Sequence, residues 1–573
     1  MAEVVTGEES TDSTAVDDAT AIDEATARQP NAADSNAADG ATTADGATTA
    51  DVSTAHQSRS LLAASAVPAV GTALSRVTGL MRVAALTAAL GLTSLADVYN
   101  LANTSPNIIY ELVIGGVLSS TLVPLFIQAH QDSLKGADDN AESVMVSVGF
   151  TAITILTVIA VLLSPVINRL FALPLHGAEY RHQIRVGTDF LVLLFPQVFF
   201  YGLTTLATAL LHSRRRFAAP AFAPVLTNIV ISAAALAVYK FTPAGSGETR
   251  TVYILGIGTT AGVAAMAVAL LPALRRADVR LRWDFRPRHP SVKAIMRLSG
   301  WTVGFAVSNQ VALLIILTFA RGAGVGAVSA YQYAFIFFQL PYGLIAVSLM
   351  TAVLPELASH ANAGDDHAFA EKFREGLSLM LTFMIPAAAA YLFFGRSLIA
   401  VLLQRGEFDA HATDQTLAML NGFAFGLPAF AVFLYCVRAF YARKNTRTPF
   451  YLNLGENALN VILVLPLVAL IGESGLAAAY SIAYWAASGA ALVVLTRKIP
   501  GLWGEGSASM IGRVCATAGI VSVALWVTAV ALPNSLPHLV NLVVALAVAA
   551  LTTVGAIVVL RPVGFEPMIR RFK

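Results

Sequence analysis

Charged residues are scarce in this chain. Asp, Glu, Lys and Arg together make up 13% of its 573 residues, whereas hydrophobic residues make up 56%. A soluble globular protein carries about 25% charged residues. The shortage excludes an ordinary soluble domain and indicates a polytopic membrane protein.

Cysteine and catalytic motifs are lacking as well. The two cysteines, Cys436 and Cys515, both lie in apolar runs, which excludes a disulfide framework or a cysteine-based metal cluster. The sequence has no phosphate-binding P-loop, no HExxH zinc motif and no Gly-x-Ser-x-Gly elbow with a plausible histidine. We therefore expect neither an enzyme nor a bound cofactor. Any transport must draw on Na⁺ or H⁺ coupling, on the membrane potential or on the supply of substrate.

Much of the negative charge lies in the first 55 residues. They contain twelve acidic residues and one basic residue, Arg28, and they repeat the sequence GATTAD. Large apolar residues are almost absent there, so burial cannot offset the entropy that ordering would cost. Residues 1–58 are predicted to form a disordered, acidic cytoplasmic tail. It is either a solvated spacer or an arm that binds a cytoplasmic or cell-wall-machinery partner.

Apolar stretches long enough to cross about 30 Å of hydrocarbon recur to the end of the chain. A spanning backbone must satisfy its own hydrogen bonds, so each stretch is predicted to be a helix. The fold class is therefore all-α, with about fourteen transmembrane helices. The predicted spans are 63–90, 97–128, 142–168, 186–211, 218–239, 252–274, 295–320, 327–357, 375–403, 416–441, 450–471, 476–496, 511–531 and 538–560.

Most of the Lys and Arg residues outside the spans follow even-numbered spans. Because positively charged loops stay in the cytoplasm, we expect both termini on that side, together with the long basic connection Arg275–Arg297. A shift of about 232 residues also aligns landmarks of the two halves: Tyr99 with Tyr331, Pro196 with Pro428, Asn228 with Asn460 and, at 231, Pro124 with Pro355. The offset predicts tandem six-helix halves with a central cavity between them, the architecture of an alternating-access transporter.

Two arginines interrupt the first apolar span. Arg76 lies near its middle and Arg82 follows six residues later. An arginine at the centre of a bilayer costs about 3 kcal/mol, so we expect both side chains to face a wet cavity that binds an anion. An ion pair of Arg76 with Asp97, and snorkelling of Arg82 to a surface, are the alternatives.

Spans 2 and 11 are also unusually polar. In span 2, Asp97, Asn103 and Asn107 are candidate substrate ligands, although Asp97 also fits a helix cap or an ion pair, and the amides also fit helix packing. In span 11, Glu456 and Asn460 share a helix face and Asn457 lies beside them. Together with Asn309 of span 7, these residues form a possible Na⁺ or H⁺ site, with interhelical packing as the alternative.

The sequence resembles the MurJ (MviN) family of lipid II flippases over roughly residues 60–500. No single motif is long, but their order is specific. The matching motifs are Ser75-Arg76-Val77-x-Gly79-x-x-Arg82, Ala96-Asp97, Pro106-Asn107, Val123-Pro124, Leu211-His212-Ser213, Arg216 to Asn228, Leu340-Pro341-x-Gly343, Leu354-Pro355, Gly406-x-Phe408, Phe440-Tyr441-Ala-Arg443 and Thr446-Arg447-Thr448-Pro449.

The resemblance implies the fold of the MOP superfamily, which consists of two six-helix lobes and, here, two further C-terminal helices. The corresponding domains are a first lobe at 60–275, a basic cytoplasmic linker at 276–294, a second lobe at 295–496 and a helix pair at 497–573. It also implies a protein of the bacterial cytoplasmic membrane that moves lipid II, an undecaprenyl-pyrophosphate-linked muropeptide, to the outer leaflet. In that family, arginines of span 1 face the cavity and are thought to meet the pyrophosphate. We expect a monomer surrounded by membrane lipid, with no nucleic-acid partner.

The chain departs from the family pattern at three positions. Val83 stands where many members have an acid after the second arginine of span 1. Tyr110 and Ile336 stand where well-known members have further cavity arginines. The departures leave two alternatives to lipid II: another polyprenyl-linked glycan, or a drug in cation-coupled export. The second alternative would call for acidic residues in the cavity.

Overall fold

The computed structural model describes residues 70–113, 122–135, 140–242, 248–279, 281–293, 300–504, 506–533 and 535–563, together with Val67. These residues are helical almost throughout, and no β-strand occurs among them. The predicted acidic tail, residues 1–58, lies outside the described residues.

The helices of the first half run from the first apolar stretch to the basic linker. Most are long and rich in Ala, Leu, Val and Ile, and a helix satisfies all the backbone hydrogen bonds of such an apolar stretch in lipid. They are α1 Val70–Leu90, α2 Ser94–Val113, α3 Val123–Leu134, α4 Ala141–Leu162, α5 Ser164–Phe171, α6 Gly177–Leu194, α7 Gln197–Ser213, α8 Ala218–Phe241 and α9 Glu248–Arg276.

The helices of the second half follow the linker, and the last two form the C-terminal pair. They are α10 Gly300–Ala323, α11 Ala327–Pro341, α12 Val347–Ala363, α13 Asp366–Leu403, α14 Ala410–Ala442, α15 Arg447–Ile471, α16 Gly475–Lys498, α17 Ser507–Ala531 and α18 His538–Leu560.

Proline marks two of the breaks between these helices. Pro196 separates α6 from α7, because proline has no N–H to donate and clashes with the preceding turn. Pro341 precedes a π-helical turn, Tyr342–Ala346, which links α11 to α12. Such turns are frequent at functional sites.

Twelve helical segments of the described residues are long and apolar enough to cross a membrane. Three of them contain two helices each: Gly177–Ser213 contains α6 and α7, Ala327–Ala363 contains α11 and α12, and Arg447–Lys498 contains α15 and α16, which are separated by a 3₁₀ turn at Gly472–Ser474. The helix α2 is not among the twelve. The prediction of an all-α polytopic membrane protein is confirmed, and the count of fourteen spans stays a prediction.

Packing follows the two halves of the chain. In the first half α8 packs on α9, α7 on α9 and α2 on α6; in the second half α14 packs on α16, α13 on α14 and α10 on α15. The C-terminal helices α17 and α18 pack on each other and on α13. Contacts between the halves are concentrated where α2 meets α10 and α11.

The helix α1 forms hydrogen bonds with residues of both halves. Near its middle, Asn228 of α8 donates hydrogen bonds from Nδ2 to the Ser75 carbonyl at 3.1 Å and to Thr78 Oγ1 at 3.0 Å. Near its end, the Ala88 carbonyl accepts a hydrogen bond from the backbone N–H of Glu407, in the loop after α13, at 3.0 Å. Gly91 permits this approach, since it has φ +59° and an added Cβ would lie 2.4 Å from the Glu407 carbonyl oxygen.

Candidate functional site

A cavity of about 610 Å³ lies between α1, α2, α7, α8 and α11, and we call it the chamber. Arg76 and Arg82 both line it. On a straight helix, residues six apart point about 120° away from each other, so the chamber must wrap around one side of α1. The structure therefore brings the two predicted arginines into one cavity.

The two arginines differ in their surroundings. The side chain of Arg76 is exposed, whereas that of Arg82 is half-buried. Guanidinium groups have no acceptor atoms and bind phosphate oxygens through paired N–H donors. A chamber with two such groups suits a ligand that carries more than one phosphate.

Tyrosines form another wall of the chamber. The rings of Tyr110 and Tyr201 stack with centroids 4.2 Å apart, and both side chains line the chamber. The Tyr201 hydroxyl donates to Asn107 Oδ1 at 2.7 Å, and Asn107 Nδ2 donates to the Asn103 carbonyl at 2.9 Å. Asn107 is not itself a lining residue, and it orients the side chain of Tyr201 through this hydrogen bond. Asn103 Oδ1 is buried and has no hydrogen-bond partner among the described residues.

The positions that depart from the family pattern also face the chamber. Tyr110 and Ile336 both line it, together with Glu111 and Gln339 from the same two helices. The described lining therefore contains two arginines and one carboxylate. Its formal charge stays positive, although Tyr110 and Ile336 supply no charge.

Asp97 lies outside the chamber lining. Its carboxylate is fully buried and accepts hydrogen bonds from the Gly326 N–H at 2.7 Å, the Ser329 N–H at 2.9 Å and the Ser329 hydroxyl at 2.8 Å. It thus caps the N-terminus of α11, where the helix dipole favours a negative charge. This geometry matches the helix-cap interpretation. The cation near Asp97 is Arg321 rather than Arg76, with 3.8 Å between Arg321 Nη1 and Asp97 Oδ2.

Sequence reasoning missed Arg321, which is almost completely buried at the end of α10. Its Nη2 atom lies 2.7 Å from Ser94 Oγ and 3.0 Å from Glu179 Oε2, and its Nε donates to Gln183 Oε1 at 3.1 Å. All three partners belong to the first half. The arginine stands just beyond the predicted end of a span, where a loop residue is the ordinary expectation, so the sequence gives no signal of its burial.

The predicted cation site forms a polar cluster between α10 and α15. Asn309 Oδ1 accepts hydrogen bonds from Asn453 Nδ2 at 2.9 Å and from Asn457 Nδ2 at 2.8 Å. Glu456 and Asn460 lie on the same side of α15 and are also buried. Among the described residues, Glu456 Oε1, Asn460 Oδ1 and Asn453 Oδ1 have no hydrogen-bond partner. Oxygen atoms of this kind are suitable ligands for a hard cation or acceptors for a proton.

A second cavity, of about 630 Å³, lies between α13, α14, α16 and α17. Its lining is almost entirely apolar, with Phe393, Phe425, Trp485 and Trp503 among the largest side chains, and none of the described residues that line it is charged. A phosphorylated ligand would lose its hydration there without compensation. The chamber is therefore the better candidate for an anion site.

Comparisons with known proteins agree with the fold and the motifs. The family model described as lipid II flippase MurJ matches residues 86–548, a range that begins after both chamber arginines. A probable lipid II flippase MurJ from Rhizobium meliloti is 32% identical over 441 residues, which cover 76% of this chain and 80% of the relative. A lipid II flippase MurJ from Burkholderia cenocepacia is 29% identical over 385 residues, covering 66% of this chain and 73% of the relative.

Two solved structures share the fold. A lipid II flippase MurJ in an inward closed conformation superposes with a TM-score of 0.69 at 22% identity, covering 85% of this chain and 97% of the other. An inward-facing multidrug resistance MATE family transporter of the MOP superfamily gives a TM-score of 0.62 at 13% identity, covering 75% and 96%.

Proposed function

The chain belongs to the lipid II flippase MurJ family, and we propose that Arg76 and Arg82 hold the diphosphate of lipid II while the protein moves this lipid across the membrane. It is a multi-pass protein of the bacterial inner membrane that carries the peptidoglycan precursor from the inner to the outer leaflet. The single observation that carries the assignment of roles is the presence of both arginines in one chamber.

The chemistry of the chamber suits this cargo. A diphosphate carries negative charge on several oxygens, and an arginine can donate two parallel N–H bonds to such a group. The attraction is strengthened where protein replaces part of the water. The stacked Tyr110 and Tyr201 offer flat surfaces beside the arginines. Those surfaces are suited to contact with sugar rings.

The position of the chamber supports alternating access. It is lined by the first part of α1, the last part of α2 and the first part of α8. These parts lie toward one end of the helices, whereas the bonds of Asp97 and Arg321 join the halves at the other end. With the predicted orientation, the chamber lies toward the cytoplasm and the joined ends lie outside. Rocking of the halves would then break the outer bonds and close the cytoplasmic end.

A cation is proposed as the coupling partner. The buried oxygens of Glu456, Asn460 and Asn453 lack hydrogen-bond donors among the described residues, so Na⁺ or H⁺ binding would satisfy them. The membrane potential can add about 2.3 kcal/mol per charge per 100 mV. A cation-coupled drug exporter is disfavoured as the function, because the described chamber lining has more arginines than acids.

The test is Arg76→Ala and Arg82→Ala in a bacterium that depends on this chain for growth. Lipid II in the outer leaflet is measured directly by its accessibility to an external reagent. We expect each substitution to reduce it at least tenfold while the protein remains in the membrane. Arg497→Gln, an exposed arginine at the end of α16, is the matched control. Normal growth with normal outer-leaflet lipid II in both chamber variants would reject the assigned role.

A further inference from the structure

The linker between α9 and α10 contains a segment with neither helix nor turn, Leu281–Arg286, that is hydrogen-bonded to the side of α4. The Arg282 N–H donates to Ser143 Oγ at 3.1 Å, and the Asp284 N–H donates to Ser147 Oγ at 3.0 Å. Two serines one turn apart on a helix are separated by about 6 Å, which is close to the spacing of about 6.6 Å between alternate residues of an extended chain. The two bonds therefore fix the register of the segment on α4.

Large apolar side chains alternate along this segment and are exposed. Leu281, Trp283 and Phe285 have 40%, 68% and 48% of their surfaces exposed. The Trp283 ring also meets the Phe150 ring edge-on, with centroids 5.7 Å apart, in the third turn of α4. The segment thus lies beside the beginning of an apolar span, and tryptophan is enriched at that level of a membrane.

An apolar cavity of about 260 Å³ adjoins the segment. Leu281 forms one wall, Phe150 another, and α7 and α9 supply the rest. Val268 and Leu271 of α9 line the cavity and are also exposed. The cavity therefore opens sideways, toward the surface that a bilayer would cover.

Three arginines closely follow residues that line this cavity. Arg275 and Arg276 follow Leu274, and Arg282 follows Leu281; both leucines line the cavity. The three arginines are exposed and form no ion pair with a carboxylate of the described residues.

Nearby arginines are already neutralised. Arg214 pairs with Glu142 at 2.7 Å. Arg286 binds Asp284, and this hydrogen bond holds the pKa of Asp284 below its ordinary value. Beside the cavity, the described residues therefore supply three arginines that form no ion pair with a described carboxylate, Arg275, Arg276 and Arg282, and one further carboxylate, Asp278.

We propose that this place is a binding site for an anionic phospholipid, with its phosphate on Arg275, Arg276 and Arg282 and one acyl chain in the cavity beneath Leu281. The site is separate from the chamber, since the two linings share no residue. With the predicted orientation, the lipid belongs to the cytoplasmic leaflet, whose anionic headgroups attract basic segments. The bound lipid fixes the linker against α4, so it orders the connection between the two halves.

The experiment titrates dioleoylphosphatidylglycerol into the delipidated full-length protein in mild detergent and counts bound lipids by native mass spectrometry. Each basic residue near an anionic headgroup contributes about fivefold to affinity. The variant Arg275→Gln/Arg276→Gln/Arg282→Gln should therefore bind about a hundredfold more weakly. The control variant Lys444→Gln/Arg497→Gln/Lys498→Gln removes three exposed charges elsewhere on the same predicted side and should bind normally.

Two further measurements distinguish binding of a lipid from binding of free phosphate. Val268→Trp fills the cavity and leaves the arginines in place, so it should weaken binding of the dioleoyl lipid at least tenfold. Dihexanoylphosphatidylglycerol and inorganic phosphate should compete poorly, because neither can fill the cavity. Thermal unfolding of every variant shows whether the fold is retained.

Three results would overturn the proposal. One is equal binding of dioleoylphosphatidylcholine and dioleoylphosphatidylglycerol to the unaltered chain. Another is displacement of the lipid by millimolar inorganic phosphate. The third is an equal loss of binding in the control variant. The first two measurements use the unaltered protein, so they remain decisive even if a variant does not fold.

Discussion

Asp97 and Gly326 join the two halves of the molecule, with 2.7 Å between Asp97 Oδ2 and the backbone nitrogen of Gly326. The carboxylate belongs to α2 and the N–H to the turn that begins α11. Gly326 has φ +86°, and an added Cβ would lie 2.8 Å from Leu92. The close approach of the two helices therefore depends on a small residue here and on a charge that the start of α11 stabilises.

Asp97→Asn should open this end of the molecule. The amide keeps the shape of the carboxylate, but it loses the charge-assisted bonds, which contribute about 2 kcal/mol. Spin labels on Thr93 and Val325, both exposed and on opposite halves, would measure the separation. Exposed Cys515 is first replaced by serine. We expect a larger population at long distance in Asp97→Asn and a smaller increase in Ser329→Ala. An unchanged distance distribution in Asp97→Asn would contradict the assigned contact.

Arg321→Met should destabilise the protein far more than Glu179→Gln. Arg321 has 1% of its side chain exposed, and its removal leaves Asp97 buried without a cation, at a cost of about 3 kcal/mol. Glu179 is 45% exposed, so solvent screening limits its contribution to about 1 kcal/mol or less. Unfolding by SDS titration from mixed micelles would give both free energies. Equal losses of unfolding free energy in the two variants would contradict this prediction, because they would mean that the pair of Arg321 with Glu179 contributes more than the buried pair of Arg321 with Asp97.

Glu111→Gln should strengthen diphosphate binding and slow release. The carboxylate shares the chamber with Arg76 and Arg82, so its removal leaves the arginines unopposed. In a wet site, the repulsion it exerts on an anion is about 1 kcal/mol, or fivefold in affinity. Binding of farnesyl pyrophosphate to the purified protein would measure the change. Glu371→Gln, on the exposed face of α13, is the control. Weaker binding in Glu111→Gln would mean that the carboxylate helps to hold the cargo.

Na⁺ should stabilise the protein against heat through the cluster at Glu456. A cation that binds only the folded state adds RT ln(1 + [L]/Kd) to stability. We expect the unfolding temperature to rise with NaCl relative to choline chloride, and the rise to vanish in Glu456→Gln and shrink in Asn460→Ala. An equal rise of the unfolding temperature in the unaltered chain, Glu456→Gln and Asn460→Ala would mean that Na⁺ binds at another site. If the unfolding temperature of the unaltered chain depends on pH but not on Na⁺, the proton is the coupling ion.

The sequence was a good guide to the helices and a poorer guide to the site. The last span was predicted at 538–560, and the helix is His538–Leu560, because an apolar run flanked by proline and arginine defines its own ends. The arginines at 76 and 82 were also recognisable, since a charge inside an apolar run has a high energetic cost.

What the sequence could not give is which distant side chains meet. Asp97 contacts residues more than 200 positions away, so no local pattern distinguishes a substrate ligand from a cap. Arg321 looks like an ordinary loop residue until the packing of α2, α6 and α10 buries it. The role of Asn107 depends on Tyr201, which belongs to a helix beyond a proline break.

The two attachments of α1 have a mechanical consequence. Its middle is bonded to Asn228 of one half, and its end is bonded to Glu407 of the other. If the halves separate, the strain falls on the stretch between Thr78 and Ala88, which carries Arg82 but not Arg76. The distance between the guanidinium groups of Arg76 and Arg82 would then change each time the halves separate. Binding of the lipid by the two arginines would therefore be coupled to the separation of the two halves.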